Sequence, residues 1–137
     1  MSDVATIRAK IKGVLDGISE LAFVADNHQA NIDGYPAVTF DESENTNVFL
    51  TNKDNLRQFS FLLVIYNETK IQGLDVATDR LDIIEKKVIE AFEADLTLTG
   101  SVNWCNPVGG PRLTLDTPQG LVVTKQLSLQ CNAVVQT

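Results

Sequence analysis

The stretch LRQFSFLLVIYNE, residues 56–68, is apolar on both sides if it forms a β-strand, because successive side chains of a strand point to opposite faces. One side would carry Phe59, Phe61, Leu63 and Ile65, and the other would carry Ser60, Leu62, Val64 and Tyr66. Such a strand lies at the centre of a sheet with both faces covered, or it keeps one face for a partner. The rest of the chain must therefore supply a sheet around it.

A second long strand is predicted at LVVTKQLSLQCNAVV, residues 121–135, from its strict alternation. Apart from Lys125, one face is apolar: Leu121, Val123, Leu127, Leu129, Cys131 and Ala133. The other face is polar but uncharged: Thr124, Gln126, Ser128, Gln130 and Asn132. One face is therefore expected to meet the core and the other to meet water.

Two segments have helical periodicity. Residues 4–17 repeat apolar side chains every three or four positions, and the glycines in their second half predict an end near residue 17. Residues 75–94 give the clearest helix, with the core stripe Ala77, Leu81, Ile84, Val88 and Phe92. Asp75 is its expected cap, and Asp82 and Lys86 are spaced for an ion pair across one turn.

Short strands are predicted at residues 21–25, 37–40 and 47–50. The acidic, asparagine-rich segment DESENT, residues 41–46, separates the last two, so they are expected to form a hairpin with a loop of about six residues. The glycines and prolines of NPVGGP, residues 106–111, predict another loop before the final hairpin.

These segments predict an α+β fold in one domain, residues 1–137. The expected sheet has four to six strands and is antiparallel or partly mixed, with both helices packed on one face. Its other face must then meet a partner or water.

The net charge of −7 constrains the partners. Residues 31–56 carry five acidic residues against one lysine, and residues 74–95 carry seven against three basic ones. Binding to a phosphate backbone needs a cluster of lysine or arginine, which is absent, so sequence-specific nucleic-acid recognition is not expected. There is no leader-like segment or apolar run of membrane-spanning length, which predicts a soluble protein with no membrane partner.

No catalytic, metal or cofactor site is expected. His28 is the single histidine, which excludes a two-histidine metal site, and a cysteine–histidine pair would need Cys105 or Cys131. Cys131 is predicted to be packed in the core, whereas Cys105 is the thiol with a chance of exposure. The acidic residues of the 41–46 segment lack the ligand spacing of a calcium loop and are expected to be solvated. Trp104 is expected in the core or at its rim, with an interface anchor as the alternative.

Spare apolar surface is the remaining functional signal. The second face of the central strand carries Leu62, Val64 and Tyr66, and Ile83 and Ile89 fall outside the core stripe of the long helix. These five side chains are the predicted contacts with another subunit or partner.

Several segments resemble the tail terminator proteins of long-tailed bacteriophages, the minor tail protein U family of phage lambda. The similarity covers roughly residues 35–135. It is carried by the strand YPAVTF at 35–40, the acidic link after it, and Arg57, Phe59 and Phe61 at the entry to the long strand. The order of the elements from there on, the long strand, then a helix and then a hairpin, also resembles that family.

The resemblance implies a structural virion protein of the phage tail, assembled in the host cytoplasm. Such proteins form a ring, typically a hexamer, that caps the tail tube protein, stops tube polymerisation and offers a docking surface to the head connector or neck protein. DNA would pass through the ring without being bound. In this picture Asp41, Glu42, Glu44 and Asn45 form a loop that projects from the sheet or lines the channel. The alternatives are another neck or tail completion protein, or a small intracellular binding domain that uses the free sheet face.

Overall fold

The computed structural model describes residues 4–28, 32, 34–49, 54–70, 73–98, 100, 102–117 and 120–136, with the backbone alone for 44–49, 54, 135 and 136. Within this part of the chain two helices accompany a five-stranded sheet, so the predicted α+β class is confirmed. The elements are α1 (Val4–Asp16), β1 (Phe23–Ala25), β2 (Ala37–Phe49), β3 (Asp54–Glu68), α2 (Leu74–Ala94), β4 (Trp104–Thr117) and β5 (Gly120–Gln136).

The sheet is mixed and mostly antiparallel, with the strand order β1-β2-β3-β5-β4. Among the strand pairs of the described residues, the short pair of β1 and β2 alone is parallel. The central strand is β3, which is hydrogen-bonded to β2 on one side and to β5 on the other. Its pairing with β5 runs over the whole strand, from Asp54 opposite Gln136 to Glu68 opposite Val122. This position agrees with the apolar character of both sides of residues 56–68.

The core lies between one face of the sheet and the two helices. Each helix buries one stripe: Ile7, Ile11 and Leu15 from α1, and Ala77, Leu81, Ile84, Val88 and Phe92 from α2. From the sheet, the same cluster takes alternate residues: Phe40, Phe59, Phe61, Leu63, Ile65, Leu127, Leu129 and Cys131. Burial of this apolar surface is the main favourable contribution to folding. The prediction that both helices share one face is confirmed.

The start and the charge pairs of α2 differ from the prediction. Gly73, with a φ of 81°, is the N-cap and makes no side-chain cap bond, so Asp75 lies in the first turn and is not the cap. There its carboxylate still meets the positive end of the helix dipole. Asp82 pairs with Arg112 of β4 and not with Lys86, which lies 3.9 Å from Glu90. The helix therefore uses Asp82 to attach itself to the sheet.

The predicted loop at residues 41–46 is wrong, because β2 continues through it. Asp41 lies opposite Leu62, Glu42 opposite Phe61, Glu44 opposite Ser60 and Asn45 opposite Phe59. A register shift between Glu42 and Glu44 is a β-bulge at Ser43, whose hydroxyl donates to the carbonyl of Ser60 at 3.1 Å. Pairing along β3 thus overrides the low strand propensity of the acidic residues, as tertiary context often does. The side chains of Glu44 and Asn45 lie outside the described residues.

The predicted loop at residues 106–111 is also wrong, since these residues belong to β4. The register shifts between Gly109 and Arg112, which marks a second bulge. A Cβ atom on Gly110 would lie 2.9 Å from the carbonyl oxygen of Gln126, so this glycine allows a close approach of the two strands. Pro107 and Pro111 are tolerated because β4 is an edge strand.

Arg8 attaches α1 to the edge of the sheet formed by β1 and β2, opposite the β4 edge. Its guanidinium donates to the Asp41 carboxylate and to the carbonyl oxygen of Asp26, both at 2.9 Å. It also lies 5.9 Å from the centre of the Phe40 ring. The Arg8 hydrogen bond holds the pKa of Asp41 below its usual value. Asp41, expected to be solvated in a projecting loop, is thus part of the attachment of α1.

Candidate interaction site

The face of the sheet opposite the helices is the candidate site, and we call it the open face. Strand pairing places these residues on it: Gln58, Ser60, Leu62, Val64 and Tyr66 from β3, Thr124, Gln126, Ser128, Gln130 and Asn132 from β5, and Trp104, Asn106, Val108, Leu113 and Leu115 from β4. Trp104, Val108, Leu113 and Leu115 are between 41% and 46% exposed. Nothing in the described part of the chain covers them fully.

Between Gln58 and Tyr66 of β3, and at the paired positions of β5 and β4, the open face carries no charge; Asp41 of β2, opposite Leu62, and Glu68 at the end of β3 border this area. In a chain with 21% charged residues, a charge-free area of this size is unusual for a surface that faces only water. Uncharged polar groups line its middle strand, and apolar side chains lie on both neighbouring strands. This composition is typical of a protein contact surface.

The basic residues of β4 and β5 lie on the other side of the sheet. Lys125, the exception in the alternation of β5, points to α2 and lies 3.4 Å from the Glu85 carboxylate. Arg112 is opposite Lys125 on β4 and pairs with Asp82. Both of these cations therefore have an acidic partner from α2, and neither contributes a charge to the open face.

The predicted contact residues divide into accessible and packed positions. Leu62 and Tyr66 are half-buried on the open face, whereas Val64 is only 9% exposed, between neighbouring strands. Ile83 is 54% exposed on α2, but Ile89 packs against the core. The two isoleucines therefore do not form one surface, which agrees with their separation of six residues on a helix with 3.6 residues per turn.

Trp104 is 45% exposed, so the predicted core position is wrong. Three further exposed apolar side chains of the open face, Val108, Leu113 and Leu115, are not among the contacts predicted from the sequence, and they share a strand with Trp104. The four side chains form a line along β4, the β4 column: Trp104, Val108, Leu113 and Leu115. The sequence predicts a loop at residues 106–111, and this prediction conceals Val108 in the first half of the line. The alternation of Leu113 and Leu115 with Thr114 and Asp116 was the signal that could have shown the second half.

A chain of polar groups adjoins one corner of the open face. Nδ1 of His28 lies 2.9 Å from the hydroxyl oxygen of Thr39, and that hydroxyl donates to the Tyr66 hydroxyl at 3.2 Å. Thr39 is fully buried, so its hydrogen-bonding groups are satisfied within the chain. These contacts orient Tyr66. They bring together none of the other predicted site residues.

Both thiols are buried, which corrects the expectation that Cys105 had a chance of exposure. Desolvation raises the pKa of Cys105 to about 11 and that of Cys131 to about 12. Thiols with such pKa values are almost entirely protonated at neutral pH and are poor nucleophiles. The two cysteines lie opposite each other on β4 and β5, where they fill space in the core.

In the described ranges, no group of three or more histidine, cysteine or acidic side chains is placed to hold a metal ion. Among the same residues, neither helix has the length and apolarity needed to cross a bilayer. Comparison of the sequence with known protein families and with curated proteins finds no match.

Proposed function

We propose that this chain is a structural virion protein, the terminator of a bacteriophage tail. In this role it forms a ring that caps the tail tube, stops further polymerisation and presents a docking surface to the head connector. The proposal rests on the resemblance of residues 35–135 to tail terminators. The structural observation that supports it is the charge-free area of the open face formed by β3, β5 and β4.

The open face supports an assembly role because its exposed side chains have no use in a monomer. A two-layer domain normally turns polar, charged side chains to water on its free face. Here the free face carries Trp104, Val108 and Leu113, each more than 40% exposed. Contiguous exposed apolar side chains rimmed by polar ones are typical of interaction sites.

A closed ring needs two different patches on each subunit, since the contact is head to tail. The open face is the first candidate. The outer side of α2 around Ile83 is the second, because that side chain is more than half exposed and lies on the helix layer. The remaining predicted partners are the tail tube protein and the head connector.

The charge of the chain is compatible with DNA passing through such a ring. A net charge of −7 opposes binding to the phosphate backbone, so DNA can slide without being held. Asp41 and Glu42 lie in a strand and not in a projecting loop, so any contribution to the channel comes from the sheet edge.

Tube capping tests the proposal. Tail tubes are polymerised from the tube protein of a phage whose genome encodes this chain, with and without the chain added at equimolar amounts. We expect shorter tubes and a ring at one end of each tube in negative-stain electron microscopy. Tyr66→Asp, on the half-buried part of the open face, should weaken capping, and Lys10→Glu, on α1, should not.

Unchanged tube lengths and bare tube ends with the wild-type chain would refute the terminator role. Binding of a small ligand or peptide to the open face of a monomer would then favour the small binding domain.

A further inference from the structure

We infer that the β4 column (Trp104, Val108, Leu113 and Leu115) is the site where a second copy of this chain docks, through side-chain packing and not through strand addition. This inference deepens the proposed function and rests on it, because a ring requires contacts between copies. The contact itself follows from three features: the two sheet edges, the charge distribution and the size of the open face.

The edge of β4 is poorly suited to pairing with another strand. The amide of Cys105 already donates to the carbonyl oxygen of Leu96 at 2.7 Å. Pro107 and Pro111 have no amide hydrogen to donate, and the bulge between Gly109 and Arg112 breaks the regular ladder. Prolines and bulges are the means by which natural edge strands avoid pairing with other chains. A partner therefore meets the side chains of β4 and not its backbone.

The edge of β2 is protected in a different way. β1 pairs only with Ala37–Thr39, so the rest of β2 lies beyond its reach. That part contains Asp41, Glu42 and Glu44 and is bent by the bulge at Ser43. Arg8 neutralises Asp41, but the charges of Glu42 and Glu44 together with the bulge disfavour pairing between two copies through β2.

The charge distribution favours a second copy as the occupant. Two molecules that each carry −7 repel across most of their surfaces. The open face is the extended area where they can touch without bringing like charges together or removing charges from water. Trp104 provides a large, partly apolar anchor, the residue type most enriched at energetically important contacts.

The dimensions of the face fit a contact of modest strength. From Trp104 to Leu115 the column lies opposite Asn132 to Val122 of β5, ten residue steps, or about 34 Å. Three strands, β4, β5 and β3, each about 4.8 Å wide, give this part of the open face a projected area on the order of 500 Å² on each molecule. Interfaces at this lower end of the usual range are reversible.

Sedimentation velocity of the purified chain, from about 10 µM to about 1 mM, tests the contact without any tail component. We expect reversible self-association of the wild type. Leu113→Asp and Val108→Asp each place a charge in the column and should raise the dissociation constant at least about tenfold. The matched control is Leu121→Asp, because Leu121 is 45% exposed against 46% for Leu113 but belongs to the helix-side alternation of β5.

Three results would overturn the inference: a wild type that stays monomeric at the highest concentration, an unchanged dissociation constant for Leu113→Asp, or an equal loss for Leu121→Asp. Circular dichroism of each variant ensures that a loss of association is not a loss of folding. If Val108→Asp or Leu113→Asp unfolds, Leu113→Ser replaces it.

Tube capping then separates the two proposals. If the wild type self-associates through the column but never caps tubes, the terminator role fails and the copy contact stands. If Leu113→Asp loses self-association yet caps tubes normally, the copy contact through the column stands, but it is not the contact that closes the ring. Binding of the tube protein that is lost in Leu113→Asp, with self-association intact, would assign the column to the tube and also overturn it.

Discussion

The ion pair between Lys125 and Glu85 gives the sharpest test of the packing between α2 and the sheet. Lys125 occupies a core-facing position of β5, and both side chains are only about one fifth exposed. Arg112 lies directly opposite Lys125 on β4, so two cations are side by side on the sheet. Asp82 and Glu85, one turn apart on α2, neutralise them. Removing Glu85 therefore leaves two neighbouring cations with one counter-charge.

The 3.4 Å separation corresponds to an attraction of about 5 kcal/mol at an effective dielectric constant of about 20. Most of this is offset by the loss of hydration of both charges. We expect Glu85→Leu to lower the free energy of unfolding by about 2 kcal/mol, because the Lys125 ammonium still loses hydration on folding but no longer has a carboxylate beside it. Lys125→Met should cost about 1 kcal/mol, and the double variant about 1 kcal/mol or less, since an apolar pair fits this site.

Urea unfolding followed by circular dichroism measures these differences, and a loss of 2 kcal/mol shifts the midpoint by about 1 M. The double-mutant cycle should give a coupling of about 2 kcal/mol. The matched control is the pair of Lys86 and Glu90 on the same helix, whose side chains are 79% and 59% exposed. Its coupling should be below about 0.5 kcal/mol.

Additive effects of Glu85→Leu and Lys125→Met, within about 0.5 kcal/mol, would refute the reasoning. They would mean that Lys125 does not depend on Glu85, and hence that α2 does not lie over this part of β5. The neutrality of the open face would then lack its explanation.

Three further predictions concern the rest of the chain. Arg8→Met should lower the free energy of unfolding at pH 7 by about 1 kcal/mol, discounted for the exposure of Asp41. The pKa of Asp41 is lowered in the folded state, so the stabilisation is complete above the unfolded pKa of about 3.9 and is lost as the pH falls through the folded pKa. Near pH 2, the wild type and Arg8→Met should therefore differ less in urea unfolding than they do at pH 7. Cys105 and Cys131 should not react with Ellman's reagent in the native protein at pH 8 and should both react in guanidinium chloride; rapid native labelling would contradict their burial. Phe92→Ala, at a fully buried position of α2, should cost about 3–5 kcal/mol in thermal or urea unfolding, and a cost below about 1 kcal/mol would contradict the packing of α2.

The elements with a strong apolar period could be predicted from the sequence. The stripe of α2 and the alternation of β5 each require one buried face, and the structure buries both except at Leu121, which was predicted to meet the core and is 45% exposed at the start of β5. Lys125 was noted only as the exception in this alternation, although a cation at a core-facing position needs an acid from the opposing layer, and the structure supplies Glu85. The apolar periodicity predicts these elements because every residue on the core-facing side of a helix or strand must be apolar or paired, along its whole length.

The two wrong loops have a common cause. In residues 41–46 and 106–111, acidic residues, glycines and prolines lower strand propensity, but pairing with β3 and β5 decides the outcome. Gly110 illustrates the ambiguity, since a glycine required by a close approach of two strands looks the same in sequence as one required by a turn. Val108 of the β4 column lies in the second of these segments, so its place in a strand was not predicted from the sequence.

The sequence predicted a sheet face with spare apolar side chains, but it placed them on β3 and not on β4. A free sheet face followed from Leu62, Val64 and Tyr66, yet the neighbouring strands bury Val64 almost completely. Which column of a sheet remains exposed depends on the strand order, and the order β3-β5-β4 cannot be read from periodicity. The edge position of β4 is what exposes Trp104.

The position of β5 also has a consequence for how the chain folds. This strand follows every other element in the sequence, yet it lies between β3 and β4 inside the sheet. Its contacts with β3 join residues that are more than fifty positions apart, and such distant pairings form slowly. During synthesis, β4 has no neighbouring strand to pair with until β5 has left the ribosome. Until then, Phe59 and Phe61 of β3 also lack their neighbours from β5, Cys131 and Leu129. Folding of the sheet is therefore a late and concerted event, and a chain that stops before Gly120 should be a substrate for chaperones or proteases.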